Sequence, residues 1–173
     1  MPKSALLVID MLNDFAHPKG VLYAPSVREI IPRVKEKIEK AREEKWLVIY
    51  LCDAHRPEDR EFLTFPPHCV EGSWGSEIVE ELKPRENEYI VRKRRFSGFF
   101  ATDLDLLLKE KNVEELHLTG CLTDICVLFT CADAYFRGYK VFVSQGATAA
   151  LTSEDHEYAL KLMRKAFGAE VEE

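Results

Sequence analysis

The side chains of this chain that could do chemistry fall into three groups. Asp53-Ala54-His55 is followed by Glu61 and His68 in one loop. Two imidazoles with one or two carboxylates make a ligand set for a borderline divalent cation such as zinc, iron or manganese, and in an extended D-x-H both ends lie on one side. A D-x-H also arises by chance, and histidines beside acids are ordinary surface features. Cys126 comes just after a glycine-containing turn, at or near the first turn of an expected helix. Unpaired backbone N–H groups and the helix dipole at such a place stabilise a thiolate. The alternative is a small buried hydrophobe. Asp10 closes an apolar run and is either a general base toward that thiol or an acid capping the loop that follows. Lys93 lies in the run Val91-Arg92-Lys93-Arg94-Arg95, directly after another apolar stretch, and is either inside the site or one member of a solvated basic run.

These residues need a scaffold that brings distant positions together. Ser4 to Ile9 and Trp46 to Leu51 are short continuous apolar runs, as strands buried on both faces are, and carboxylates follow at Asp10 and Asp53. Further strands are expected at Tyr89 to Val91, Val113 to Thr119, Tyr139 to Ser144 and Ala169 to Val171. Helices are expected from an N-cap near Ser26 through Ala41, at Ser76 to Leu82, at Asp103 to Lys111, at Thr123 to Arg137 and from Thr152 or Ser153 to Ala166. Met11 to Pro25 and Ala54 to Trp74 are expected to be loops, the second long enough to suggest function. The alternation predicts a three-layer α/β/α fold with a mostly parallel sheet of about six strands, in a single domain spanning residues 1–173. In such an open sheet the site lies at the carboxyl ends of the strands. By that rule Asp10, Asp53, the residues after Val91 and the turn before Cys126 should converge.

Composition narrows the function. A net charge of -6 argues against a nucleic-acid backbone as partner. No apolar run approaches the ~20 residues of a membrane span, and the N-terminal residues lack a signal-peptide pattern. Five cysteines with no CxxC spacing suit a reducing compartment, so a cytoplasmic protein is expected. Neither GxGxxG nor GxxxxGK[ST] occurs, which leaves nucleotide-phosphate binding without support.

The segments ALLVIDMLNDF, DAHRPEDREF, FPPHCVEGSWGSEIVEELKP, KRRFSGFFATDLDLLL, TGCLTDICV and ADAYFRGYKV resemble, in order and over nearly the whole chain, those of the isochorismatase-like cysteine hydrolases, most closely their nicotinamidase-related branch. The resemblance implies an Asp–Lys–Cys triad: Cys126 as nucleophile, Asp10 as base, and Lys93 as the cation that stabilises the thiolate. It implies a cis peptide between Cys121 and Leu122, with the N–H groups of Leu122 and Cys126 forming an oxyanion hole. It also implies one divalent metal ion, zinc first and iron or manganese next, on Asp53, His55 and His68. Glu61 matches a fourth position that varies among members. In nicotinamidases this metal holds the pyridine nitrogen and bound waters, and Phe15, Phe65 and Phe96 fall where those enzymes wall the ring.

Some positions depart from the family pattern. Gly146 stands where an acid is usual, the loop between Lys93 and Ser97 is short, Phe65 replaces a common tryptophan and Phe96 a common tyrosine. These changes bear on substrate choice rather than on the triad. The expectation is therefore a metal-containing amidohydrolase that works through a cysteine thioester on a small carboxamide, with nicotinamide to nicotinate the best single assignment. A homo-oligomer is also expected. The alternatives are an isochorismatase-like hydrolase of another amide or a vinyl ether, and a non-catalytic metal or redox module. Members cleaving isochorismate do not require the cysteine, and a sensor needs neither Asp10 nor Lys93.

Overall fold

The computed structural model describes residues 3–173. Six strands form one sheet: β1 (Lys3–Ile9), β2 (Leu47–Asp53), β3 (Tyr89–Lys93), β4 (Val113–Cys121), β5 (Lys140–Ala149) and β6 (Glu170–Glu172). Their order is β3-β2-β1-β4-β5-β6, and every adjacent pair is parallel. The helices are α1 (Asn13–Ala16), α2 (Pro25–Glu29), α3 (Ile31–Glu43), α4 (Leu104–Glu110), α5 (Leu128–Phe136) and α6 (Ser153–Phe167).

Alternation along the strands divides the core in two. Leu7, Ile9, Ile49, Leu51, Leu116 and Leu118 pack with residues of α4, α5 and α6. Leu6, Val8, Val48 and Tyr50 pack with Val27, Val34 and Ile38 of α2 and α3. Both faces of the sheet are covered, which is why β1 and β2 read as continuous apolar runs rather than alternating ones. Among the described residues no helix is long and apolar enough to cross a membrane.

Several elements differ from their sequence signals. No helix forms over Ser76 to Leu82. The segment instead has short 3-10 turns at Trp74–Ser76 and Glu80–Leu82, because its backbone is bonded across the chain. Glu77 O accepts from Asn13 N–H at 2.9 Å, and Val79 N–H donates to Met11 O at 3.0 Å. The same bonds order the loop after Asp10, which contains α1. The helix expected from Ser26 is two helices broken at Ile30, where Pro32 fits the first turn of the second. Ser26 is not the cap, since Pro25 already occupies the first turn of α2, and its hydroxyl donates to Ala150 O at 2.7 Å. α6 follows its signals closely: Thr152 Oγ1 accepts from Asp155 N–H at 3.1 Å, and Gly168, with φ 61°, ends it.

Candidate active site

In the order 3-2-1-4-5-6 the strand sequence reverses between β1 and β4, and a crevice opens there at the carboxyl ends. Asp10 is the residue after β1, Asp53 ends β2, and Lys93 ends β3 as its direct register partner. Cys126 lies just past β4. Asp10 has φ 51°, a left-handed conformation held by its own hydrogen bonds: its N–H donates to Leu51 O at 2.8 Å, and its carbonyl accepts from Leu12 N–H at 2.8 Å. Cys121 Sγ donates to the same carbonyl at 3.2 Å.

Lys93 Nζ is the hub. It donates to Asp53 Oδ1 at 2.6 Å, to Arg95 O at 3.0 Å and to Cys126 Sγ at 3.5 Å. Asp10 Oδ2 lies 2.9 Å from it. Burial alone would drive the proton off this lysine, but Asp10 and Asp53 outweigh burial and hold the ammonium well above its ordinary range. The two carboxylates on either side of the lysine then diverge. Burial and the neighbouring Asp53 raise Asp10 to about 6. Asp53 is just as buried, yet Lys93 and His55 pull it below the ordinary carboxylate range. Asp10 Oδ1 accepts from Asp53 N–H at 2.8 Å, whereas Oδ2 is buried and, although ion-paired with Lys93, has no hydrogen bond of good geometry among the described residues. Oδ2 is therefore the oxygen free to take a proton near neutral pH.

Cys126 lies, as expected, in the opening turn of the helical segment that starts at Thr123, but that turn, Thr123–Val127, is π-helical and leads directly into α5. Burial pushes the thiol well above its ordinary range, Lys93 opposes this, and Asp10 and Asp53 add to it. The resting group is thus a thiol that needs a base, not a thiolate preformed at a helix start. The Cys121–Leu122 peptide is cis, in agreement with the family resemblance. Leu122 O accepts from both Ile125 N–H (3.1 Å) and Val127 N–H (3.2 Å), while Leu122 N–H makes no backbone hydrogen bond among the described residues. Thr123 Oγ1 lies 2.8 Å from His156 Nδ1, which ties the turn to α6.

Beyond Asp53 the crevice holds a second group. One ligand atom each from Asp53, His55, Glu61 and His68 lies within 4.8 Å of the others. The loop carrying them is ordered by a parallel bridge between His55 and Val70: His55 N–H donates to Cys69 O at 2.9 Å, and Glu71 N–H donates to His55 O at 2.8 Å. Asp14 supports the same loop by accepting from Cys69 N–H at 2.8 Å. His68 Nδ1 donates to Pro66 O at 2.7 Å, and His55 Nδ1 to Asp59 Oδ2 at 3.1 Å. In both rings Nε2 faces the cluster, and His55 Nε2 is buried with no hydrogen-bond partner of good geometry among the described residues. Burial lowers the basicity of His55, but Asp53, Glu61 and Asp59 more than offset it, raising the imidazole to about 10. A field that attracts a proton so strongly, on two imidazole nitrogens and two carboxylates, fits a divalent cation.

A cavity of about 380 Å³ opens over both groups. Asp10, Asp53, Glu61, His68, Cys121 and Cys126 form its polar end. Phe15, Phe65 and Phe96 line it together with Leu122 and Ile125, and Phe65 meets Phe96 edge-on with centroids 6.2 Å apart. No arginine or lysine side chain lines it among the described residues. Asp10, Phe15, Asp53, Glu61, Phe65, His68, Phe96, Leu122 and Cys126 of the residues singled out in the sequence line this cavity, while Lys93 and His55 are buried behind it, in contact with Asp53. Sequence reasoning missed Asp59, Asp14 and His156, whose only signals were a carboxylate four residues after His55 and isolated polar residues near loops.

A wholly parallel sheet, helices on both faces and polar groups gathered where the strand order reverses define a three-layer α/β domain with a candidate active site at the reversal. Comparison with known proteins narrows the class. The chain belongs to the isochorismatase family: the family model described as Isochorismatase domain matches residues 4–172. The solved nicotinamidase/pyrazinamidase PncA from Bacillus subtilis is similar at a TM-score of 0.93 and 36% identity, covering 99% of this chain and 100% of that one. N-carbamoylsarcosine amidase from Thermoplasma acidophilum gives 0.92 and 34%, covering 98% and 95%. Pyrazinamidase of Pyrococcus horikoshii, solved in complex with zinc, gives 0.90 and 34%, covering 98% of each chain.

Proposed function

We propose that the protein is a metal-containing amidohydrolase that cleaves a small neutral carboxamide through a thioester on Cys126, with nicotinamide to nicotinate and ammonia as the reaction. The observation that carries this reading is Lys93 Nζ, buried within 2.6–3.5 Å of Asp53, Asp10 and Cys126, which themselves line the polar end of an otherwise apolar cavity. In this account Asp10 Oδ2 takes the thiol proton, and Lys93 stabilises the thiolate as it forms. Sulfur attacks the carboxamide carbon, and the developing oxyanion is received by the N–H groups of Leu122 and Cys126. Asp10 returns its proton to the leaving nitrogen, ammonia departs, and a water deprotonated by the same carboxylate hydrolyses the thioester. Asp53, His55, Glu61 and His68 would hold the divalent ion, with zinc favoured by the zinc-bound pyrazinamidase neighbour. When bound, the ion supplies a Lewis acid beside the substrate ring.

The cavity wall bears on the substrate. N-carbamoylsarcosine and isochorismate both carry carboxylates, and apart from the ion that Asp53 and Glu61 would hold, the cavity lining offers no arginine or lysine to pair with one. Phe15, Phe65 and Phe96 suit an uncharged ring. Assembly into homo-oligomers belongs to the same proposal, and the exposed Tyr135 and Phe136 of α5, whose rings meet Phe167 of α6 at 5.7 and 6.0 Å, offer an apolar patch for it. With metal-loaded protein, kcat/KM for ammonia release should be higher on nicotinamide than on N-carbamoylsarcosine. The reverse order would overturn the substrate assignment, and no ammonia from either would overturn the amidase assignment.

A further inference from the structure

The sequence leaves Arg94 and Arg95 without a role, as members of a solvated basic run. In the structure both reach Asp59, a carboxylate that is only 3% exposed. Each Asp59 oxygen has two donors, one from the metal-ligand loop and one from an arginine. Oδ2 accepts from His55 Nδ1 at 3.1 Å and from Arg94 Nε at 2.9 Å. Oδ1 accepts from Glu61 N–H at 3.1 Å and from Arg95 Nη1 at 2.9 Å. One carboxylate thus holds two of the four candidate ligands, one by its ring and the other by its backbone.

We propose that Asp59, clamped by Arg94 and Arg95, is the positioning residue of the metal group. The inference rests on the metal-binding reading of Asp53, His55, Glu61 and His68. A carboxylate can only accept from Nδ1, so it fixes His55 as the tautomer whose Nε2 lone pair faces Asp53 and Glu61, and it strengthens that nitrogen as a ligand. Capping the 3-10 turn Arg60–Leu63 through Glu61 N–H sets where the Glu61 side chain begins. The two guanidiniums allow the acid to stay ionised while buried. Arg95 also offers its carbonyl to Lys93 Nζ at 3.0 Å, so a single residue braces both the metal group and the lysine hub.

The alternative is an ion-pair cluster that merely pins the loop to the end of β3. Metal affinity separates the two, because pinning has no reason to depend on which atom faces His55 Nδ1. Asp59→Asn keeps the size of the side chain and can place an N–H against the ring, where a carboxylate cannot. Zinc affinity measured by chelator competition, at a temperature where circular dichroism shows wild type and variant both folded, should fall about 10–100-fold. If that variant does not fold, the double variant Arg94→Gln, Arg95→Gln, changed at half-exposed positions, should lose affinity in the same direction. Wild-type affinity in the folded variant would overturn the role of Asp59 and leave the metal reading standing. A wild-type protein that binds no zinc would overturn the metal reading, and this inference with it.

Discussion

Lys93 stays charged without solvent because two buried carboxylates, a carbonyl and a thiol surround it. Its two acids nevertheless diverge, because burial and the charge of Asp53 raise Asp10 while Lys93 and His55 hold Asp53 down. Asp53 is kept ionised, while Asp10 titrates near 6 and is the one able to cycle a proton. A sign for pH dependence follows. The base must be deprotonated to accept the thiol proton, so activity is present above about pH 6 and is lost as the pH falls through it. The pH profile of kcat/KM on nicotinamide should show an acid limb near pH 6. Asp10→Asn should lower kcat/KM by about 10²–10⁴-fold, the usual worth of a general base, and should abolish the limb. A flat profile down to pH 5, or a limb that survives in the variant, would assign the proton elsewhere. At this scale the residue types were legible in the sequence, but their ionisation was not. Local spacing left Cys126 open between a lowered-pKa thiol at a helix start and a small buried hydrophobe, because its pKa follows burial and neighbours brought in from other strands, which local spacing does not encode.

Elements deliver these residues through backbone devices as much as through side chains. Gly120, one residue from the end of β4, has φ +107°, and a Cβ there would run into the backbone of Ile9, the last residue of β1. The close approach of β1 and β4 sets where Asp10 stands relative to the nucleophile turn. Gly120→Ala should therefore cost about 3 kcal/mol, combining left-handed strain with a backbone clash. At roughly 2–4 °C per kcal/mol for a chain of this size, the melting midpoint should fall by about 6–12 °C, read by thermal circular dichroism. An unchanged midpoint would show that the strands can shift to admit a methyl group. Apolar runs and caps made β1, β2 and α6 readable, since each depends on its own segment. Ser76 to Leu82 misled because its backbone groups are satisfied by Met11 and Asn13, far away in the chain. The π-helical turn around Cys126 carries no periodic signal that separates it from the helix it leads into.

At the scale of the whole molecule, the regular alternation of strands and helices was enough to predict a layered parallel sheet and a site at its carboxyl ends. Strand order was not legible, because pairing between β1 and β4 joins segments more than a hundred residues apart. That order matters most for function. It places the reversal point between the strand that ends at Asp10 and the strand that leads to Cys126, and it sets β2 and β3 alongside to bring in Asp53 and Lys93. The resulting crevice joins an acid of raised pKa, a buried cation and a thiol to an apolar cavity with a candidate metal-ligand group beside it. The proposal that this isochorismatase-family protein is a cysteine amidase stands or falls on the sulfur atom. The most direct measurement is ammonia release from nicotinamide by metal-loaded wild type and by Cys126→Ala, with folding of both verified by circular dichroism. Turnover by wild type and none above background by the variant is the predicted result. Turnover retained in Cys126→Ala would contradict the account.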